Sequence, residues 1–170
     1  MRLEYELTIQ DYIDYNIYHM YHSPTMKRSL IIQRFFAPIV FLIMPLVLNL
    51  LSDDIPLWYW YIIFSIVFIF WIIFFPKVFK KSYIKRIKKL LDEGKNSYMF
   101  GKNILTLIED GIIVKTEAIE SKYSHIEKAV VTDKHILIYI SAVSAIIIPI
   151  SCFDTVEDKS TFIKMLEKYR

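Results

Sequence analysis

Few side chains in this sequence stand at spacings that chemistry requires. His19 and His22 lie three residues apart on an expected helix, a spacing that brings two imidazoles within reach of one metal ion. Zinc needs further ligands, and no carboxylate of the HExxH kind accompanies the pair, which reads instead as two interface histidines on an amphipathic helix. Cys152 is the single cysteine, with His125 and His135 as candidate activating bases. Its apolar neighbours favour a small buried hydrophobe over a nucleophile. Glu109-Asp110 and Glu157-Asp158 pair carboxylates by sequence, but both suit turn and helix-start positions better than an acid/base pair. Glycine occurs only at Gly94, Gly101 and Gly111, which excludes a phosphate-cradling loop of the P-loop or Rossmann kind. The reading is of a non-enzymatic chain with no catalytic residue, no cofactor and no metal.

The elements around these residues explain the poverty of chemistry. Phe35–Ser52 and Ile55–Pro76 contain no charged residue, and only Asp53 and Asp54 separate them. A membrane-spanning helix needs about 17 to 25 apolar residues. Residues 35–51 and 57–75 meet that length, reaching about 26 and 28 Å at 1.5 Å per residue. A secretory signal would not follow so many mixed, charged residues, and no small-residue cleavage site succeeds the first stretch. The expectation is a two-helix hairpin in a membrane, with residues 52–56 as its outer turn.

Cations set its orientation. Lys27, Arg28 and Arg34 precede the first span, and Lys77, Lys80, Lys81, Lys85, Arg86, Lys88 and Lys89 follow the second, while the turn has none. The positive-inside rule then puts both termini in the cytoplasm of a multi-pass cell-membrane protein. Trp58, Tyr59, Trp60 and Tyr61 fall where an outer aromatic belt forms. Pro45 predicts a bend in the first span, and Asn49 reads as a helix-end amide. Residues 76–94 continue as a basic cytoplasmic helix, in which Lys80, Lys81, Lys85, Lys88 and Lys89 form a candidate lipid-facing cluster against the anionic inner leaflet. The net charge of +3 says less than this placement, and cations gathered beside the membrane argue against nucleic acid as a partner.

The remaining chain reads as strands and short helices. Residues 1–10 alternate as a half-buried strand, with Leu3, Tyr5, Leu7 and Ile9 on one face. Residues 11–34 predict juxtamembrane helices, the first capped by Asp11 and the second started by Ser23-Pro24. Within 95–170, strand-like runs stand at 97–100, 103–108, 112–117, 120–124, 129–132, 135–140 and 145–150. Asp110-Gly111 signals a type I′ hairpin, and Thr155-x-x-Asp158 a capping box for a terminal helix with Val156, Phe162, Ile163 and Leu166 on its apolar side. A tail of this size is marginal alone. Pairing of the first strand with the later sheet would enlarge it, making the hairpin an insertion in one β-rich unit.

Five short stretches carry a family resemblance. They are His22-Ser23-Pro24-Thr25-Met26-Lys27-Arg28 with Ile31-Ile32-Gln33-Arg34, then Leu107-Ile108-Glu109-Asp110-Gly111-Ile112, and finally Tyr123-Ser124-His125-Ile126-Glu127-Lys128 with Ile146-Ile147-Ile148-Pro149. In order and spacing they resemble the YcxB-like family of small bacterial membrane proteins over nearly the whole chain. The resemblance implies an α+β membrane protein: a two-helix transmembrane hairpin inserted in a small cytoplasmic, pleckstrin-homology-like (PH-like) β domain with a C-terminal helix. It brings no activity or catalytic residue with it. The functional expectation is a membrane-tethered binding or regulatory module at the cytoplasmic face, with anionic lipid or another membrane protein as partner. The alternative is an accessory or immunity-type subunit of a transporter or secreted-peptide system.

Overall fold

The computed structural model describes residues 1–51, 55–93 and 99–169. It divides into two compact units, one of residues 1–19 with 88–170 and one of residues 20–87. Ser52–Asp54 of the expected turn, Gly94 as a helix stop, and Ser97 and Tyr98 of an expected strand lie outside the described residues.

Among the described residues the first unit has seven strands: β1 (Arg2–Leu7), β2 (Gly101–Ile108), β3 (Gly111–Lys115), β4 (Glu120–Tyr123), β5 (Lys128–Val131), β6 (His135–Tyr139) and β7 (Ala145–Pro149). They form two antiparallel sheets, ordered β1-β2-β3-β4 and β5-β6-β7. The N-terminal strand pairs with β2 in a register that sets Leu3 opposite Leu105 and Tyr5 opposite Asn103. Strand alternation puts Leu3, Tyr5, Leu105, Leu107 and Ile112 on one face, where they meet Ile136, Ile138, Ile146 and Ile148 of the second sheet. The terminal helix α5 (Val156–Leu166) contributes Phe162 and Leu166 to the same core.

Strand β6 is buried at every position, because both its faces are covered. Ile136 and Ile138 face the main core. Leu137 and Tyr139 turn the other way, onto Tyr15 of the helix α1 (Ile9–His22). That double burial explains why residues 135–140 read as a continuous apolar run rather than an alternating one.

Three local expectations are corrected. Helix α1 begins two residues before Asp11, with Thr8 as its cap: the Asp11 amide donates to Thr8 Oγ1 at 3.2 Å and the Thr8 amide to Asp11 Oδ2 at 2.9 Å. This is a reciprocal capping box, in which Asp11 is the third helical residue and not the cap. The β2–β3 turn consists of Glu109-Asp110, since Ile108 pairs with Gly111. No residue other than glycine has positive φ among those described, so the turn is not type I′. Gly111 is needed for another reason: its φ is +144° and a Cβ there would stand 2.3 Å from the Tyr123 carbonyl oxygen. Finally, Thr155 does cap α5, accepting from the Asp158 amide at 3.0 Å, but Val156 is exposed instead of joining the apolar side.

The second unit contains α2 (Pro24–Ile31), α3 (Val40–Leu51) and most of α4 (Leu57–Glu93). A π-helical turn (Ile32–Phe36) and a 3₁₀ turn (Ala37–Ile39) join α2 to α3 without a break. Pro24–Leu51 and Leu57–Glu93 are helical runs of 28 and 37 residues, each long and apolar enough to cross a membrane. The departure from α geometry falls just before Pro38, whereas Pro45, where the sequence predicts the bend, sits inside α3. Pro38 and Pro45 are seven residues apart and both buried, with Phe41 half-buried between them and its ring against Trp71 of α4.

A part-buried side-chain hydrogen bond ties α1 to the second sheet. Asp11 Oδ1 lies 2.7 Å from His135 Nε2, and His135 is almost wholly buried at the start of β6. Burial alone would raise the Asp11 carboxyl; the hydrogen bonds from His135 and Thr8, with the His135 charge, outweigh it and hold the group below its ordinary value of 3.8. A carboxylate depressed in the folded state stabilises above its unfolded pKa, and that stabilisation is lost as pH falls through the folded value. Asp11→Asn should therefore cost about 1–3 kcal/mol at pH 7. The gap to the parent protein should shrink steadily below about pH 4. Thermal unfolding across that range checks it, and a gap independent of pH would contradict it.

Candidate functional site

The residues singled out for chemistry are dispersed. His135 is committed to Asp11. His125 is exposed in the connection between β4 and β5. Cys152 sits in a 3₁₀ turn (Ile150–Cys152), half-buried against the main core, and burial pushes its thiol up, so it stays protonated at neutral pH. His19 lies among rings, with Tyr15 and Tyr139 both at 6.1 Å; burial, then the nearby Lys128, lower its pKa. Glu109-Asp110 forms a turn, and Glu157-Asp158 occupies the first turn of α5. Among the described residues, no group of three or more His, Cys, Asp or Glu side chains is placed to hold a metal ion.

The basic cluster is on α4, and Lys80, Lys81, Lys85, Lys88 and Lys89 are all exposed. Helical spacing puts Lys81, Lys85, Lys88 and Lys89 on one face. Lys80 falls outside that face, nearer Ile84 and Ile87. Lys89 reaches Glu93 at 3.5 Å, an exposed pair that contributes little to stability.

The best-built arrangement comes instead from prolines. Pro76 has no N–H, so the Ile72 carbonyl four residues earlier loses its helical partner. Arg34 Nε donates to that oxygen at 3.1 Å. In the π-helical turn the Ala37 amide bonds back five residues to the Ile32 carbonyl. The next bond of that register would come from Pro38, which has no donor, so the Gln33 carbonyl is left over. Trp71 Nε1 of α4 donates to it at 3.2 Å. Each helix run thus repairs the backbone of the other, and the two repairs come from neighbouring positions.

Those contacts shape a cavity of about 190 Å³, lined among others by Lys27, Arg34, Phe35, Phe75, Pro76 and Phe79. The Arg34 guanidinium lies 5.2 Å from the Phe35 ring centre. Trp71, Phe75 and Phe79 follow at one-turn spacing along α4, each ring 5.5 Å from the next. Two cations therefore stand beside an aromatic-walled space, an arrangement that suits a ligand with an anionic head and an apolar body. Sequence reading counted Arg34 as a flank charge and passed over Trp71. The available signal was the prolines themselves, since Pro38 and Pro76 each remove a backbone donor within a helical run.

A double-mutant cycle tests the repair. Arg34→Met should cost about 1 kcal/mol, within the range of hydrogen bonds between apolar helices. In a Pro76→Ala background residue 76 recovers its N–H and supplies Ile72 itself, so Arg34→Met should cost far less there. Equal costs in both backgrounds, measured by unfolding in detergent, would show that Arg34 acts otherwise.

Comparison with known families agrees with part of this picture. Residues 109–166 match the model of the family described as YcxB-like protein. The matched segment runs from the β2–β3 turn through α5, leaving out β1, β2 and both long helical runs. No curated protein and no solved structure matches the chain. Over residues 109–166 the chain is similar to that family.

Proposed function

We propose that this protein is a membrane-tethered, non-enzymatic binding or regulatory module of the cytoplasmic face, and that it engages anionic phospholipid of the inner leaflet. The observation that carries the reading is the pair Lys27 and Arg34 beside the aromatic cavity at one end of two long apolar helical runs. The apolar windows of those runs are 11% and 0% buried, which is unlike the core helix of a protein folded in water. Phe36, Ile43, Ile69, Phe70 and Ile73 are each more than half exposed. At about 25 cal/mol per Å² of apolar surface, a bilayer is the environment that stabilises them.

The lysine and arginine flanks support an arrangement with both ends cytoplasmic and residues 52–56 outside. Lys27 and Arg34 then stand at the inner headgroup level, close to the level where the cation run of α4 begins. The β-rich unit, two packed sheets closed by a terminal helix, supports a PH-like reading of the tethered module. It is joined to the hairpin through α1 and α4.

The full-length protein in nanodiscs of neutral phospholipid doped with an anionic one tests the lipid claim. Anionic lipid should be retained preferentially, and Lys27→Gln should lower that preference about fivefold, since one cation near the surface is worth about 1 kcal/mol. Replacing Lys80, Lys81, Lys85, Lys88 and Lys89 by Gln should lower it further. Equal retention of neutral and anionic lipid by the parent protein would contradict the reading.

A further inference from the structure

One end of the β-rich unit contains a cavity of about 220 Å³ that the reading above does not use. Its wall comes from Tyr5, Asn103, Val114, Thr116, Ser121 and Tyr123, with apolar residues of β7 opposite. Register explains the location. Tyr5 faces Asn103 across β1 and β2, and Val114 faces both Leu105 and Ser121. Along the inward face of β2 the order is Asn103, Leu105, Leu107, so the strand changes from amide to leucine as it enters the core.

Asn103 is the anomaly. It is 97% buried, at 3% exposure, and its Oδ1 has no hydrogen-bond partner among the described residues. Its Nδ2 makes only a long bond, 3.4 Å, to the Gly101 carbonyl. A buried acceptor without a donor costs stability, and leucine continues the pattern on either of the next two inward positions without that cost. Among the described residues, no charged one lines the cavity. Burial pushes the Tyr5 hydroxyl far above its ordinary value, so no charge develops there at neutral pH.

We infer that this cavity is a binding site for a small, uncharged, largely apolar molecule that donates one O–H or N–H to Asn103 Oδ1. The volume is below the roughly 300–1,000 Å³ of sites for drug-sized ligands, so the occupant is of the size of a phenol or a short alcohol. Mouths of closed or nearly closed β structures are common places for such sites. The donor orients the molecule, and the walls from Tyr5, Val114 and Tyr123 take its apolar body. Thr116 does not compete for the donor: its hydroxyl bonds the Ile119 carbonyl at 3.2 Å and accepts from the Ile119 amide at 3.0 Å.

Phenol and toluene serve as probes, being alike in shape and different in the donor. The full-length protein in detergent micelles, with its valine and isoleucine methyls labelled, is titrated with each and read by NMR at Val114 and Ile146. Phenol should give saturable shifts at both residues, and toluene should bind at least fivefold more weakly. In Asn103→Leu the two probes should bind alike, while the melting temperature stays level or rises because the unpaired oxygen is gone. Absence of saturable shifts would overturn the inference, as would equal binding of the probes to the parent protein. So would a phenol preference that survives in Asn103→Leu, or a drop in its melting temperature, which would make Asn103 a structural residue satisfied by water.

Discussion

Each proline placed in a helix abandons a carbonyl, and in this chain the carbonyls at Gln33 and Ile72 are recovered by the opposite helix run. Water would hydrate such groups at little cost, whereas hydrocarbon offers no donor, so an orphan there costs stability. In the proposed bilayer setting the bonds Arg34–Ile72 and Trp71–Gln33 are what permit Pro38 and Pro76 to exist. They also fix the register of the two runs, since both donors must meet their carbonyls at once. Small residues, the usual way for apolar helices to approach closely, are scarce here. Here the two side-chain-to-backbone bonds and the Phe41–Trp71 ring contact join the runs instead.

The consequence for ligand chemistry is direct. Arg34 is held by Nε, and its guanidinium lies beside Phe35 at the edge of a cavity shared with Lys27. Arginine suits this dual task because its planar fork carries several donors. The β-rich unit is organised on a different principle. Its first and second strands are separated in sequence by the whole of both helical runs, yet they pair residue for residue. The helices are an insertion between two hydrogen-bonded strands, which keeps both points of entry on one sheet.

Periodicity made most of this legible. The apolar runs, the alternation of Leu3, Tyr5 and Leu7, and six of the seven later strand runs appear in the structure near their expected places. Local hydrogen-bond competition was harder to read. Both Thr8 and Asp11 are good caps, and only the reciprocal bonds show that Thr8 holds the position. Asp110-Gly111 looks like a hairpin turn, but Gly111 serves the close approach of Tyr123 instead. Val156 has the helical spacing of a core residue and is exposed, while Phe162 and Leu166 of the same helix are buried in the core. The interhelical repairs and the unpaired Asn103 were not legible. Each depends on which residues meet across long sequence separations, and no local pattern encodes that.

The account stands or falls on the hairpin lying in the membrane with both ends inside. Asp53→Cys in a Cys152→Ser background, treated in intact cells with an impermeant maleimide, addresses it most directly. The account predicts labelling at position 53 without lysis, and labelling of Ser160→Cys in the same background only after lysis. The reverse pattern, or labelling of both sites in intact cells, would contradict it.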